Sequence, residues 1–158
     1  MTKVTKNNVL DANYVNSDSL PWIPTGMGSM EMKVCKVNPI TGQFVVLVRY
    51  PADGSPVPSH RHHGTVIVYT VSGKWGYKED NWISGPGDVV YEPACSTHTP
   101  INYPEFGEVV TFVIIDGALE ILDEQGQTLY ILNAEAAINM YQQYCQTTGT
   151  VPVDVTQF

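Results

Sequence analysis

An all-β barrel or sandwich closed by one C-terminal helix is the fold the sequence predicts, and three observations predict it. Short runs of β-branched and aromatic residues recur along most of the chain. Turn-forming residues separate them, and the apolar period becomes helical only near the end. The runs cover residues 32–37, 43–50, 66–71, 74–80, 88–91 and 109–115. Between them, Asn38-Pro39-Ile40-Thr41-Gly42, Pro51-Ala52-Asp53-Gly54, Val71-Ser72-Gly73 and Ser84-Gly85-Pro86-Gly87 supply the restricted and positive φ values that turns require.

Residues 119–122 and 127–132 flank Asp123-Glu124-Gln125-Gly126 and read as a hairpin with glycine at its tip. A helix over 134–147 follows. Asn133 is its N-cap, Glu135 lies in its first turn, Ala137, Met140, Tyr141 and Tyr144 form its apolar stripe, and Gly149 ends it. A polar arm over 1–20 precedes a single domain over 21–158, with no internal repeat or linker to divide it.

With 43% hydrophobic and 15% charged residues over 158 positions, the composition is that of one globular domain. No apolar run reaches the roughly 18 residues of a membrane span, and the polar start lacks the apolar stretch of a secretory signal. A cytoplasmic location is therefore expected. Sixteen acidic against eight basic residues give a net charge of −8, with no basic cluster to neutralise phosphates, so neither nucleic acid nor membrane is an expected partner. Cys35, Cys95 and Cys145 are odd in number and widely spaced, which argues for free thiols.

Chemistry concentrates on histidine. The chain has four, and His60 and His62 stand two apart, a spacing that puts both rings on one face of a strand. His98 follows in a second segment, and three neutral imidazoles suit a transition metal better than magnesium or calcium. His63 falls on the opposite face and is assigned a hydrogen-bonding or surface role.

Two spacings carry a family resemblance. Gly54, five residues, His60-Arg61-His62 and then Gly73 resemble the first cupin motif. Gly87, five residues, Pro93, His98 and Asn102 resemble the second, with Cys95 in place of its usual second glycine. The resemblance implies a single-domain cupin, a double-stranded β-helix or jelly-roll barrel with a metal inside. The glutamate of a typical first motif is missing, since Val66 and Ile67 occupy its slots. Glu79 is the candidate to replace it, because Trp75, Tyr77 and Glu79 alternate along one run and a carboxylate among aromatics needs a positive partner. The other reading of Glu79 is a solvated strand end.

Within the cupins the chain resembles the 2,4′-dihydroxyacetophenone dioxygenases, with acetylacetone-cleaving diketone dioxygenases as near relatives. Pro21-Trp22-Ile23-Pro24, Thr41-Gly42-Gln43-Phe44, Trp75-Gly76-Tyr77-Lys78-Glu79, Tyr91-Glu92-Pro93 and Gly117-Ala118-Leu119 carry this likeness. It implies a mononuclear non-haem Fe(II), with zinc or nickel possible as purified, held by His60, His62, His98 and, in the hydroxyketone enzymes, a glutamate at Glu79. It further implies oxygen-dependent cleavage of a C–C bond beside a carbonyl, giving 4-hydroxybenzoate and formate from 2,4′-dihydroxyacetophenone.

Trp75, Tyr77, Tyr91 and Phe112 are candidates to line a substrate cavity, and Arg49 to pair with a product carboxylate, although core packing and a surface ion pair are the simpler alternatives. Cys95 either approaches the metal or fills a tight turn, and Glu92 either supports a ligand histidine or stands on an exposed rim. Unpaired strand edges make a homodimer or homotetramer the expected assembly. A zinc-binding regulatory cupin without turnover is the competing reading; such cupins accompany anti-sigma factors and carry a helical partner-binding region, for which the first twenty residues are too short and polar.

Overall fold

The computed structural model describes residues 12–50 and 52–157, so most of the polar arm expected over 1–20, and Pro51 of the 51–54 turn, lie outside the described residues. In chain order the strands are β1 (Ile23–Pro24), β2 (Glu31–Val37), β3 (Phe44–Tyr50), β4 (His60–His62), β5 (Val66–Ser72) and β6 (Trp75–Tyr77). They continue with β7 (Val89–Glu92), β8 (Thr97–His98), β9 (Pro100–Asn102), β10 (Val109–Ile115), β11 (Ala118–Leu122) and β12 (Thr128–Asn133), followed by α1 (Ala134–Thr148). Among the described residues these strands form three antiparallel sheets, ordered β1-β2-β3-β10-β5-β7, β12-β11-β4-β8 and β6-β9. The expected mostly-β cupin barrel with one C-terminal helix is the fold observed.

Alternation along each strand builds the interior. On β5, Val66, Val68 and Thr70 are buried and Ile67, Tyr69 and Val71 are exposed. β10 pairs with both β3 and β5, so Val113 lies between Val46 and Val68 in one continuous apolar floor. Each fully buried aliphatic side chain there contributes roughly 1.5–3 kcal/mol. The outward side chains of β5 and β7 are also apolar, and Ile67, Tyr69, Val89 and Tyr91 form an exposed patch across the paired strands.

Two turns beside the barrel show what backbone geometry demands. Gly73 has φ +72, and a Cβ there would meet the Glu108 carbonyl oxygen at 2.6 Å, so glycine is required on both counts. Cys95 is the one non-glycine residue with positive φ among the described residues, at +68, and it occupies the position where the motif ordinarily has glycine. Its amide donates to the His62 carbonyl at 2.8 Å and Ser96 accepts from the His62 amide at 2.9 Å, which stitches this turn to β4. Of the two readings of Cys95, the tight turn is the observed one; its side chain is exposed.

The helix begins where the sequence predicts, with the Asn133 side chain accepting from the Ala136 amide at 2.8 Å, and its C-cap Gly149 is left-handed. Its most buried stripe is Ala137, Tyr141 and Cys145, a four-residue step, while Met140 and Tyr144 only flank it. Tyr141 fastens the C-terminal segment by accepting from the Val153 amide at 2.7 Å. Among the described residues no helix is long and apolar enough to cross a membrane.

Candidate metal centre

β4 places its first and third side chains inward, so His60 and His62 are buried while Arg61 is exposed. β8 pairs antiparallel with β4 in a register that sets His98 directly opposite His60. Directly opposed residues share a face, and the third ring therefore joins the other two. Ring centroids are 4.8 Å apart for His60 and His62, 5.5 Å for His62 and His98, and 6.3 Å for His60 and His98. The three histidines that the sequence singled out are brought together.

The protonation state follows from burial. Desolvation, with the neighbouring imidazoles adding to it, pushes His60 down to about 3 and His62 down to about 4. Desolvation also lowers His98, opposed by Asp80 and Glu79. All three rings are thus held in the neutral form that binds metals.

The imidazoles fit a metal by their unanswered atoms. His60 Nδ1, His62 Nδ1, His62 Nε2 and His98 Nε2 are buried with no hydrogen-bond partner, an expensive arrangement unless something electrophilic sits among them. Among the described residues no group of three or more His, Cys, Asp or Glu side chains is arranged to hold a metal ion as it stands, so the rings would have to turn toward a common point to bind one.

Tyr77, inward on β6, stacks on His98 with centroids 4.2 Å apart and 15° between planes. Its phenol donates to Glu92, the last residue of β7, which is 2% exposed. Desolvation raises the Glu92 carboxyl to about 7, against the opposing hydrogen bond from Tyr77. Its other oxygen lies 3.4 Å from His62 Nε2, and with that ring neutral the contact is no ion pair. His60, His62, Tyr77 and Glu92, with the apolar wall of Val66, Val68, Val113 and Leu119, line a cavity of about 50 Å³.

Several expected site residues lie elsewhere. Glu79 falls after β6 has ended, because the chain turns at Tyr77 with Asp80 donating back to the Tyr77 carbonyl. It is exposed, with both carboxylate oxygens engaged by the Thr99 amide at 2.9 Å and hydroxyl at 2.7 Å. The solvated reading of Glu79 is the one observed. Desolvation raises its carboxyl, but the hydrogen bonds from Thr99 together outweigh that and leave it lowered.

Trp75 and Tyr77 do line the cavity, Trp75 with its indole donating to Thr70 at 2.8 Å. Tyr91 is 64% exposed and Phe112 is also exposed, both on the outer sheet face, because the inward residues of β7 are Val90 and Glu92 and those of β10 are Thr111 and Val113. Arg49 pairs with Glu31 at 2.6 Å and covers the Trp22 ring, outside the cavity. His63 bonds Glu120 at 3.0 Å, as its outward position suggested. Sequence reasoning missed Glu92 as a central group, having left its place between a supporting role and the rim. The signal available was its odd-even phase with Val90 on β7.

The family model described as the ChrR cupin-like domain matches residues 11–120. An RmlC-like cupin protein from Ralstonia eutropha JMP134 is 36% identical, with 94% of this chain and 96% of that one covered and a TM-score of 0.87. An acetylacetone dioxygenase from Acinetobacter johnsonii shares the fold at 16% identity, covering 87% and 95% of the two chains with a TM-score of 0.73. The anti-sigma factor ChrR in complex with SigE from Rhodobacter sphaeroides aligns over 61% of this chain and 50% of that one, at 21% identity and a TM-score of 0.51. No curated protein matches significantly. Barrel topology, paired histidine motifs, the domain match and the 36% identical relative converge: the chain belongs to the cupin family with a ChrR cupin-like domain.

Proposed function

We propose that this protein is a mononuclear metal-dependent dioxygenase that cleaves a C–C bond beside a carbonyl in a small chelating ketone, with Fe(II) as the working metal. The observation that carries the reading is a pair of buried, neutral imidazoles, His60 and His62, lining an apolar cavity, with half-buried His98 beside them and ring nitrogens of all three buried without partners. The likeness of the barrel to an acetylacetone dioxygenase supports the reaction class. His60, His62 and His98 would hold the ion. When bound, it lowers the cost of ionising a chelating ketone to the electron-rich form that reacts with dioxygen. Trp75 and the valine wall keep water out, and the stack of Tyr77 on His98 fixes that ring's plane.

Size favours the diketone branch. A cavity of about 50 Å³ holds one or two waters, far below the ~300 Å³ from which ligand pockets usually begin. A five-carbon diketone needs a modest opening of the barrel mouth. 2,4′-Dihydroxyacetophenone, with its ring and its products 4-hydroxybenzoate and formate, needs a much larger one. Oxygen uptake by Fe(II)-reconstituted protein, with each ketone in turn and a His98→Ala control, tests the proposal. Uptake with acetylacetone that the variant abolishes is expected; no uptake with either compound, despite bound iron, overturns it.

The ChrR cupin-like match favours one second reading, a zinc-loaded regulatory domain without turnover. Oxygen-inert protein that retains zinc through purification would support it.

We also propose that two copies pair through the outer faces of β5 and β7. Ile67, Tyr69, Val71, Val89 and Tyr91 are exposed there, and uncharged contact suits copies that each carry a net charge of −8. Together with Phe112 they offer on the order of 500 Å² per copy, so that two copies reach the ~1,000 Å² a specific interface needs. Sedimentation of Tyr91→Lys against the unmodified chain reads this directly. A monomer in both rejects it.

A further inference from the structure

Glu92 closes β7 with its carboxylate inside the barrel, and its two oxygens face different groups. Oε1 accepts the Tyr77 phenol. Oε2 faces His62 Nε2 at 3.4 Å, and that nitrogen has no hydrogen-bond partner. A proton shared between imidazole and carboxylate would draw the heavy atoms to about 2.7–2.9 Å. At 3.4 Å neither an Nε2–H tautomer of His62 nor a protonated Glu92 makes a hydrogen bond of ordinary length across this gap.

A cation answers both. Two donor atoms held at about 2.1 Å by one metal ion stand about 3.0 Å apart at right angles and about 3.4 Å apart at the tetrahedral angle. The spacing of His62 Nε2 and Glu92 Oε2 is that of two ligands on one ion. The cavity lining has no lysine or arginine to neutralise the carboxylate, so its ionised form needs a positive partner from elsewhere.

We infer that Glu92 is the fourth protein ligand of the metal, bound through Oε2, with Tyr77 orienting the carboxylate through the other oxygen. The inference rests on the three-histidine reading above and moves the carboxylate ligand from the turn after β6 to the end of β7. His60 and His98 complete the set by turning their rings toward the same point. Tyr77 is a positioning residue that acts through Glu92 and, by stacking, through His98.

Metal-free protein titrated with Co(II) tests this without any turnover, because both the dissociation constant and the visible spectrum report the ligand set. One equivalent per chain is expected for the unmodified protein. Glu92→Gln is expected to weaken binding at least about 100-fold and change the visible bands, while Glu79→Gln leaves both unchanged. Tyr77→Phe keeps the carboxylate and is expected to weaken binding about 10–100-fold with the band pattern retained. Zinc-edge X-ray absorption is expected to show three imidazoles and one additional oxygen ligand in the unmodified protein, with the oxygen shell altered in Glu92→Gln. Unchanged affinity and bands in Glu92→Gln, beside lost binding in His62→Ala, overturn the fourth ligand and leave the three-histidine site intact. No Co(II) binding by the unmodified chain overturns both.

Discussion

Two carboxylates thirteen residues apart occupy opposite surroundings. Glu79 lies in the turn beyond β6, exposed, its charge spread over two hydrogen bonds from Thr99. Glu92 lies at the inner end of β7, walled by aliphatic side chains and tied to Tyr77. Burial has raised the Glu92 carboxyl to about 7, whereas the Thr99 hydrogen bonds lower that of Glu79. Identical chemistry therefore has different uses: one carboxylate fastens a turn, and the other is kept dry beside three imidazoles. Sequence proximity to the motif is a poorer guide than strand phase.

The largest separation between the two regions is expected in metal affinity. His98→Ala removes one of the three imidazoles and should weaken binding more than about 100-fold, whereas Glu79→Gln should stay within about threefold. Equilibrium titration of both variants measures this, and a strong effect at Glu79 would break the comparison.

Next in size is the bond that holds the inner carboxylate. Tyr77→Phe leaves Glu92 Oε1 without its donor in an apolar cavity, which should reduce the stability of the metal-free protein by about 1–3 kcal/mol in denaturant unfolding. The corresponding Thr99→Ala change beside exposed Glu79 should fall below that range, because water replaces the lost contact.

The pH dependence of metal-free stability sharpens the contrast. Between about pH 4.5 and 6.5 the unfolded chain protonates His60 and His62 while the fold keeps them neutral, so acidification destabilises. Glu92 acts in the opposite sense. Its raised carboxyl holds a proton in the fold that the unfolded chain releases, a stabilisation fully present below about pH 4.5 and lost as pH rises through about 7. Glu92→Gln removes this opposing proton, and the fall in stability on acidification should steepen by about 1.4 kcal/mol per pH unit. Glu79→Gln should show no comparable steepening.

Much of the fold was legible because it rests on local rules. Gly73 and Gly87 mark positive-φ turns, Asn133 and Gly149 bracket the helix, and the His60-Arg61-His62 alternation sets two rings inward. The site was legible where alternation held and obscure where it stopped. The run read over 74–80 ends at Tyr77, two residues before it would have carried Glu79 inward. On β7 the aromatic Tyr91 was the natural inward choice over a carboxylate, since burying Glu92 is unfavourable until Tyr77 and the imidazoles surround it. Phe112 and Arg49 failed likewise, as an outer-face aromatic and a partner of Glu31. Those partners come from distant strands and leave no local pattern.

The smallest expected effect concerns the turn that anchors β4. Cys95 holds a left-handed conformation that disfavours any side chain, so Cys95→Gly should stabilise the fold by about 1 kcal/mol in thermal or denaturant unfolding while leaving metal affinity unchanged.

The most direct test of the metal centre is the metal content of the purified protein, measured by elemental analysis beside His60→Ala and His98→Ala variants of confirmed fold. One equivalent of a transition metal per chain, absent from both variants, is the predicted result. Protein that remains metal-free after exposure to Fe(II), Zn(II) and Ni(II), with its three imidazoles intact, would contradict the account.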